Sequence, residues 1–198
     1  MKNTKTTLSI SAALMAGSLL LTGCTPAGTD HAGGDHASGM EASQQATSQA
    51  HNSADTMFAQ MMIPHHEQAL EMSEIMLDKD MLGPELDSLA TEIKDAQAPE
   101  IALMESWLTA WGEPRTMGHE TEMDGMLGAA ELESLKSAQG SQAEELFLQQ
   151  MIEHHLGATK MAEEVLASGK APKVLELSRE IISAQNAEIS QMREMLKK

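Results

Sequence analysis

"MFAQMMIPHHEQALEMSE", residues Met57–Glu74, has a close counterpart later in the chain. Residues Leu146–Glu163, "LFLQQMIEHHLGATKMAE", align with it without a gap, and the two adjacent histidine pairs coincide. Further on, the dipeptide "AQ" recurs at Ala96 and Ala184 once the alignment slips by one residue. Such self-similarity indicates a supersecondary unit that is present in two copies.

Each copy is predicted to form a helical hairpin. In the first copy, a helix over Ser53–Lys79, with Ser53 and Asp55 as N-terminal capping candidates, precedes a helix over Pro84–Trp111. Apolar residues recur at helical spacing, and no stretch alternates as a strand does. A long connection, Glu113–Gly140, contains a short predicted helix at "AAELESLKSA". The sequence therefore predicts an all-α protein, a four-helix bundle made of two repeated hairpins.

The beginning of the chain has the pattern of a lipoprotein signal peptide. Residues 1–23 start with basic side chains, continue with an apolar run too short to span a membrane, and lead into "LTGC", which resembles a bacterial lipobox. Cys24 is therefore predicted to carry lipid after cleavage. As the only cysteine, it can form neither an internal disulfide nor a thiolate metal cluster. We expect an exported protein, anchored by lipid to the outer face of the bacterial cell membrane or to the periplasmic membrane face.

Residues 24–53 are predicted to form a flexible tether. They are rich in Gly, Ala, Ser, Thr and Gln and contain almost no large apolar side chain, so they cannot bury a core. The bundle domain is then residues 54–198. The candidate metal-capturing groups of the tether are His31, His36, Met40 and His51. Two interpretations of these side chains stay open, namely weak capture of metal ions and a purely solvating linker.

The composition is acidic and rich in methionine. The 30 acidic and 13 basic residues give a net charge of −17, which argues against nucleic acid and anionic lipid headgroups and is compatible with cationic ligands. Contact with a membrane is expected only through the lipid anchor. The chain has 17 methionines but no tyrosine, two phenylalanines and two tryptophans. A core so short of aromatic residues and so rich in thioethers suggests a chemical role for sulfur.

Helical phase divides the histidines of each pair. At 100° per residue, the first histidine lies on an inward stripe with apolar residues, and the second lies about 100° round, at the edge of the bundle face. The inward stripe of the first copy is Phe58, Met62, His65, Ala69, Met72 and Met76, and that of the second is Phe147, Met151, His154, Ala158, Met161 and Val165. His66 and His155 are the predicted edge residues. The two clusters are expected to face each other across a pseudo-twofold axis.

The pairing of imidazole with thioether is typical of a copper site. Thioether sulfur is soft and imidazole is borderline, so together they favour Cu(I) and also accept Cu(II). The alternative is packing, since methionine on a helix stripe is more often core than ligand, as expected for Met104, Met192 and Met195. Four buried imidazoles would each need a partner, however, and the stripe offers few neutral donors or acceptors. The repeated pattern therefore favours metal binding.

A second methionine-histidine patch lies in the connection between the hairpins, in "TMGHETEMDGM". Its candidate ligands are Met117, His119, Met123 and Met126. Spacings of two to four residues let one segment wrap a soft ion. The alternative is an acidic loop without a metal.

"MMIPHHEQALEMSE", "MDGM" and "FLQQMIEHHLGATKMAE" together resemble the domain-of-unknown-function 305 (CopM-like) family over nearly all of residues 54–198. The resemblance implies a ferritin-like four-helix bundle and an exported copper-binding or copper-resistance protein with His and Met ligands. By motif position it implies copper ligands at Met62, His65, His66, Met72, Met151, His154, His155 and Met161, and also at Met117, His119, Met123 and Met126. Where the family has Phe-Asp ahead of the histidine helix, this chain has Ala54-Asp55 and Ala143-Glu144.

Other functions are less well supported by the sequence. A di-iron oxidase needs Glu-x-x-His on two helices, and no such motif occurs. A b-type haem or other redox-metal bundle with Met and His ligands, and a structural bundle without metal, remain alternatives. No nucleophile, phosphate loop or catalytic carboxylate pair is present, so the sequence predicts a binding protein and not an enzyme. We expect it to sequester copper or to transfer it to or from a copper-exporting or copper-accepting partner protein, in support of copper tolerance or homeostasis.

Pro64 distinguishes the two copies, because its counterpart is Glu153. It removes one backbone hydrogen bond to the carbonyl of Gln60 and is expected to kink the first helix, at a cost of up to ~3 kcal/mol. The sequence thus predicts a looser first site. Copper binding is expected to weaken at low pH, because imidazole must be neutral to bind a metal.

Overall fold

The computed structural model describes residues 50–80, 82–117 and 123–198, and the regular structure of these residues is entirely helical. The helices are α1 (Ser53–Leu77), α2 (Pro84–Trp111), α3 (Ala129–Ser137), α4 (Gly140–Ser168) and α5 (Pro172–Met195). The all-α prediction is confirmed for this part of the chain. Helix α2 has the predicted bounds, and α1 ends at Leu77, two residues before the predicted end. The predicted signal peptide, Cys24, His31, His36 and Met40 lie outside the described residues.

The helices pack in two antiparallel pairs. Helix α1 packs along α2 and α4 along α5, while contacts between α1 and α4 join the pairs. The start of α1 lies beside the end of α4, where the Asn52 side chain donates to the Ser168 carbonyl at 2.8 Å. Helix α3 makes smaller contacts with α1 and α4. None of the helices in the described ranges is both long and apolar enough to cross a membrane.

The apolar core is divided into two clusters. One lies toward the α1–α2 turn and includes Met76, Leu89 and Phe147. The other lies at the opposite end and includes Phe58 and Trp107. Between the two clusters, each of the four long helices contributes polar side chains, and we call these eight residues the polar layer. They are His65 and His66 of α1, Gln97 and Glu100 of α2, His154 and His155 of α4, and Gln185 and Glu188 of α5.

The cap of α1 differs from the predicted one. Asn52 and not Ser53 is the N-cap, since its side chain accepts the backbone N–H groups of Ala54 and Asp55. The Asp55 carboxylate accepts the N–H of Asn52 in return, which completes a capping box. The sequence prediction was wrong by one residue because Asn, Ser and Asp are all favoured caps and only the backbone geometry selects among them.

Carboxylates tie each pair of helices to the turn of the other pair. Asp55 is fully buried, and its oxygens accept the N–H groups of Lys170 and Ala171 at 3.0–3.2 Å, where α5 begins. At the aligned position of α4, Glu144 accepts the N–H of Gly83 at 2.7 Å, where α2 begins. The chain thus has alanine where the family has phenylalanine, but it keeps an acidic residue at the next position in both copies. Both carboxylates accept hydrogen bonds from the backbone at the start of a helix.

The connection between the hairpins crosses α1 and α4 near the polar layer. The Gln68 side chain accepts the N–H of Leu127 at 2.6 Å and donates to its carbonyl at 2.9 Å. On α4, Gly157 lies against the backbone of Asp124, so closely that a Cβ on Gly157 would be 1.9 Å from the Asp124 carbonyl oxygen. Asp124 also pairs with Lys160. Gln68 and Gly157 are equivalent in the repeat, so one copy holds the connection by hydrogen bonds and the other makes room for it.

Pro64 does not interrupt the helix. Helix α1 runs continuously from Ser53 to Leu77 with the proline in its interior. The side chains on either side of it, Ile63 and His65, are both buried. The predicted loosening of the first site relative to the second stays a prediction.

Candidate metal centre

Four imidazole rings converge in the polar layer. The rings of His65 and His154 are in contact, with centroids 3.8 Å apart and planes inclined by 38°. His155 lies next to His154 at 6.4 Å, and His66 follows His65 on α1. All four side chains are at most 1 % exposed. The two histidine pairs that the repeat expects to face each other are thus brought together between α1 and α4.

His66 and His155 do not lie at the edge of the bundle, so that prediction was wrong. Both are fully buried, and each ring is bound to a carboxylate of the neighbouring helix. Nε2 of His66 lies 2.7 Å from Glu100 of α2, and Nε2 of His155 lies 2.6 Å from Glu188 of α5. Helical phase gives the direction of a side chain from its own axis only. The second helix of each pair packs over that direction, and its position is set by the tertiary structure.

The remaining ring nitrogens of the four histidines are buried without a hydrogen-bond partner among the described residues. They are Nδ1 and Nε2 of His65, Nδ1 and Nε2 of His154, Nδ1 of His66 and Nδ1 of His155. An unsatisfied buried polar group costs about 1–3 kcal/mol, so a cluster of six is unusual in a stable core. Six orphaned nitrogens are what a site built to hold metal ions would contain in the absence of metal.

Burial keeps the central imidazoles neutral. The pKa of His65 is lowered from 6.5 to about 3, mainly by desolvation and then by the neighbouring His66, while the nearby Asp124 carbonyl opposes the shift. The pKa of His154 lies well below its ordinary value for the same reason, with added repulsion from His65, His155 and His66. Neutral imidazole has a free lone pair, which is the form that binds a metal ion.

Acidification is expected to destabilise the metal-free protein well above the pKa of His65. The unfolded imidazole titrates near 6.5 and the native one at about 3. Between these values the unfolded state binds more protons, so the free energy of unfolding falls as the pH falls. At about pH 5 the loss from His65 alone is about 2 kcal/mol. Urea unfolding of the wild type and His65→Leu at neutral and acidic pH measures it, and an identical pH dependence in both would contradict the prediction.

The predicted methionine ligands lie on both sides of the polar layer. Met62 and Met161 belong to the apolar cluster at one side, and Met72 and Met151 to the cluster at the other. All four are buried. Within the described ranges, no three side chains of His, Cys, Asp or Glu are placed to hold one metal ion together. A metal site here would therefore combine imidazole nitrogen with thioether sulfur, which favours a soft ion.

Two further methionines lie near the predicted set and were missed by the sequence analysis. Met57 and Met61 line a surface cavity of about 110 Å³ together with Met161. Met57 is 51 % exposed, which is high for a large apolar side chain. Their spacing of four residues on one helix is the signal that could have found them. Of the methionines expected to be core, Met104 and Met192 are fully buried in the apolar clusters, and Met195 packs half-buried against one of them.

Part of the second methionine-histidine patch lies against α4 at His154. A Cβ on Gly125, whose φ is +82°, would be 2.5 Å from the Glu153 carbonyl oxygen and 3.0 Å from the His154 Cα. Met123 and Met126 flank this contact and are half-buried. Met117 is also half-buried, and His119 lies outside the described residues. The structure thus brings the end of this patch to the histidine cluster, although the two are far apart in sequence.

The acidic and amide members of the polar layer were not identified from the sequence. Gln97 and Gln185 are both 3 % exposed, and the Glu100 and Glu188 side chains are 22 % and 18 % exposed. A signal was available, because the two segments "AQAPE" and "AQNAE" place identical Gln and Glu residues at matching positions of the repeat. Identical polar residues at matching positions of a largely apolar repeat would have indicated these four side chains.

His51, the last histidine of the predicted tether, makes its contacts outside the histidine cluster. Its ring stacks on Trp111, with centroids 4.3 Å apart and planes inclined by 7°. Its Nε2 also lies 3.9 Å from a carboxylate oxygen of Glu113. The structure thus places His51 in a packing contact at the end of α2.

Comparison with known families gives one match that covers most of the chain. Residues 55–196 match the family described as Domain of unknown function (DUF305). No curated protein matches the sequence significantly.

Several solved structures are similar to this chain. A DUF305 fragment from Deinococcus radiodurans is 34 % identical with a TM-score of 0.68, covering 74 % of this chain and 97 % of that one. A DUF305 protein from Streptomyces coelicolor, named as a secreted protein, is 35 % identical with a TM-score of 0.68, covering 73 % and 91 %. CopM in its Cu(I)-bound form is 33 % identical with a TM-score of 0.62, covering 72 % and 95 %. CopM has also been solved with Cu(II), with silver and in the apo form.

Proposed function

The chain belongs to the DUF305 family, and from this premise we propose that it is an extracytoplasmic protein that binds copper ions through His and Met side chains and either sequesters them or hands them on. The observation that carries the proposal is the buried cluster of four histidines, in which six ring nitrogens have no hydrogen-bond partner among the described residues. CopM, which is 33 % identical to this chain, binds Cu(I), Cu(II) and silver in its solved structures.

The chemistry of the cluster favours Cu(I). The central imidazoles are held neutral by burial, and the side chains that flank the polar layer are uncharged thioethers. Hard cations prefer oxygen ligands, whereas thioether and imidazole together favour Cu(I) and still accept Cu(II) through nitrogen. Because His65 stays neutral until about pH 3, copper binding is expected to weaken only at lower pH than a solvent-exposed histidine would imply.

The proposed architecture is a ferritin-like four-helix bundle of two repeated hairpins. Three features support it: the antiparallel pairs α1–α2 and α4–α5, the matching contacts of Asp55 and Glu144, and the matching hydrogen bonds of His66 and His155 to a carboxylate. We also propose the division into a signal peptide over residues 1–23, a lipid-bearing tether over 24–53 and the bundle over 54–198. Export is supported by the relative that is named as a secreted protein.

Haem binding is a weaker alternative. The rings of His65 and His154 are in contact at 3.8 Å, which leaves no space for a porphyrin between them. We also propose a binding protein and not an enzyme, since the sequence offers no nucleophile, phosphate loop or catalytic carboxylate pair. Release of copper to a copper-accepting protein, or uptake from one, is the expected use of the site.

Anaerobic Cu(I) titration against a competing chelator tests the proposal. The double variant His65→Ala/His154→Ala is expected to lose affinity by about 100-fold or more, since even loss of an outer ligand partner commonly costs 10- to 100-fold. The double variant Glu92→Gln/Glu180→Gln, which changes two exposed side chains outside the polar layer, is the control and should bind as the wild type does. Unchanged stoichiometry and affinity in the double variant would refute the site.

A further inference from the structure

We infer that Glu100 and Glu188 are positioning residues that fix the tautomers of His66 and His155, so that each histidine presents Nδ1, and not Nε2, to copper. This inference deepens the proposed function and rests on it. It concerns the two histidines that were predicted to lie at the edge of the bundle face and that are buried in the structure.

The contacts are the same in both copies of the repeat. Glu100 and Glu188 occupy equivalent positions on α2 and α5, and their carboxylates lie 2.7 Å and 2.6 Å from Nε2 of their histidines. In the described part of the chain, neither carboxylate is paired with a lysine or an arginine. Two equal contacts on different helices indicate a feature of the duplicated unit and not a chance packing contact.

The chemistry of the carboxylate decides which ring nitrogen carries the proton. An ionised carboxylate only accepts hydrogen bonds, so Nε2 must be the donor. In a neutral imidazole the lone pair is then on Nδ1. Nδ1 of His66 and Nδ1 of His155 are both buried without a hydrogen-bond partner among the described residues.

The doubly protonated ring fits the geometry less well. An imidazolium would carry a second N–H at Nδ1, and this donor would be buried without an acceptor among the described residues. The neutral tautomer buries a lone pair instead, and a metal ion can use that lone pair. The carboxylate also prevents rotation of the ring and raises the basicity of the ligand nitrogen, as the partners of metal-bound histidines commonly do.

The tautomer can be tested without copper. Nitrogen NMR of the metal-free protein with isotope-labelled histidine distinguishes a protonated from an unprotonated ring nitrogen. We expect Nε2–H and bare Nδ1 at His66 and His155. Glu100→Gln should keep this pattern, because the amide oxygen still accepts, whereas Glu100→Ala should lose the preference at His66 and leave His155 unchanged. A dominant Nδ1–H tautomer in the wild type would overturn the inference.

Silver(I) then identifies the ligand atom. Its nucleus couples to a bound nitrogen, and we expect this coupling at Nδ1 of His66 and His155 while Nε2 keeps its proton. Coupling at Nε2, or no coupling at either histidine in a protein that still binds Cu(I), would overturn the inference and leave the proposed function standing. A protein that binds neither Cu(I) nor silver would overturn both.

Cu(I) affinity provides the matching quantitative test. Glu100→Ala and Glu188→Ala are each expected to weaken Cu(I) binding by about 10- to 100-fold, with the Gln variants recovering part of the loss. Glu92→Gln on α2 and Glu180→Gln on α5 remove the same charge from exposed positions outside the polar layer and should bind as the wild type does. Equal losses in the control variants would assign the effect to net charge and overturn the positioning role.

Discussion

Replacing Asp55 by alanine is expected to lower the free energy of unfolding by about 3–5 kcal/mol. The carboxylate is fully buried and accepts N–H groups of Asn52, Lys170 and Ala171, and it thereby joins the start of α1 to the start of α5. A hydrogen bond to a charged group contributes about 1.5–3 kcal/mol, and each buried donor left without an acceptor adds a penalty. Urea unfolding followed by circular dichroism measures the loss.

Two further variants separate the contributions of the individual hydrogen bonds to the free energy of unfolding. Asp55→Asn keeps one acceptor oxygen and should lose less than alanine does, whereas Glu144→Ala removes a single contact with Gly83 and should cost about 1 kcal/mol. The two helix starts are equivalent in the repeat, so Glu144→Ala is the matched control. A loss below about 1 kcal/mol in Asp55→Ala would show that water replaces the carboxylate.

Replacing Gly157 by alanine is expected to destabilise the protein by about 1–3 kcal/mol, against the usual effect of alanine in a helix. Alanine normally stabilises a helix interior by about 1 kcal/mol relative to glycine. Here the added Cβ would be 1.9 Å from the Asp124 carbonyl oxygen and 3.2 Å from the Gly125 Cα. Because these are backbone atoms, no rotamer change relieves the overlap, and the connection must move away from α4.

The displaced connection should be visible in hydrogen exchange. The N–H of Met126, which donates to the Met123 carbonyl at 3.3 Å, should exchange faster in Gly157→Ala, and thermal unfolding should begin at a lower temperature. Gln68→Ala, which removes the two hydrogen bonds to Leu127, loosens the same segment without an overlap and is the comparison variant. An alanine variant more stable than the wild type would show that the connection is not held at this position.

Much of the fold could be predicted because its signals are local. The bounds of α2 follow from Pro84 and from Gly112, which ends the helix at φ +72°. The inward stripe of α1 and α4 follows from helical periodicity, and its members are all buried. The repeat also predicted that His65 and His154 would face each other, since equivalent residues of two similar hairpins meet where the hairpins pack.

The errors arose where one helix meets another. The edge position predicted for His66 is covered by α2, and the carboxylate of Glu100 is 34 residues away in sequence. The prediction treated each helix as a separate cylinder, and the contact depends on how the second cylinder is placed. The same reason explains why the contact between Asp124 and Gly157 was not predicted, because it depends on the path of a connection without helical periodicity.

Residue type and spacing along one helix were enough to predict the helices, the inward direction of His65 and His154 and the soft character of the candidate ligands. Three features could be seen only in the folded structure: the burial of His66 and His155, the contacts of Glu100 and Glu188 with their Nε2 atoms, and the six ring nitrogens without a partner among the described residues. These features depend on the relative placement of four helices. The physical reason is that water is excluded from the polar layer only when the four long helices pack around it.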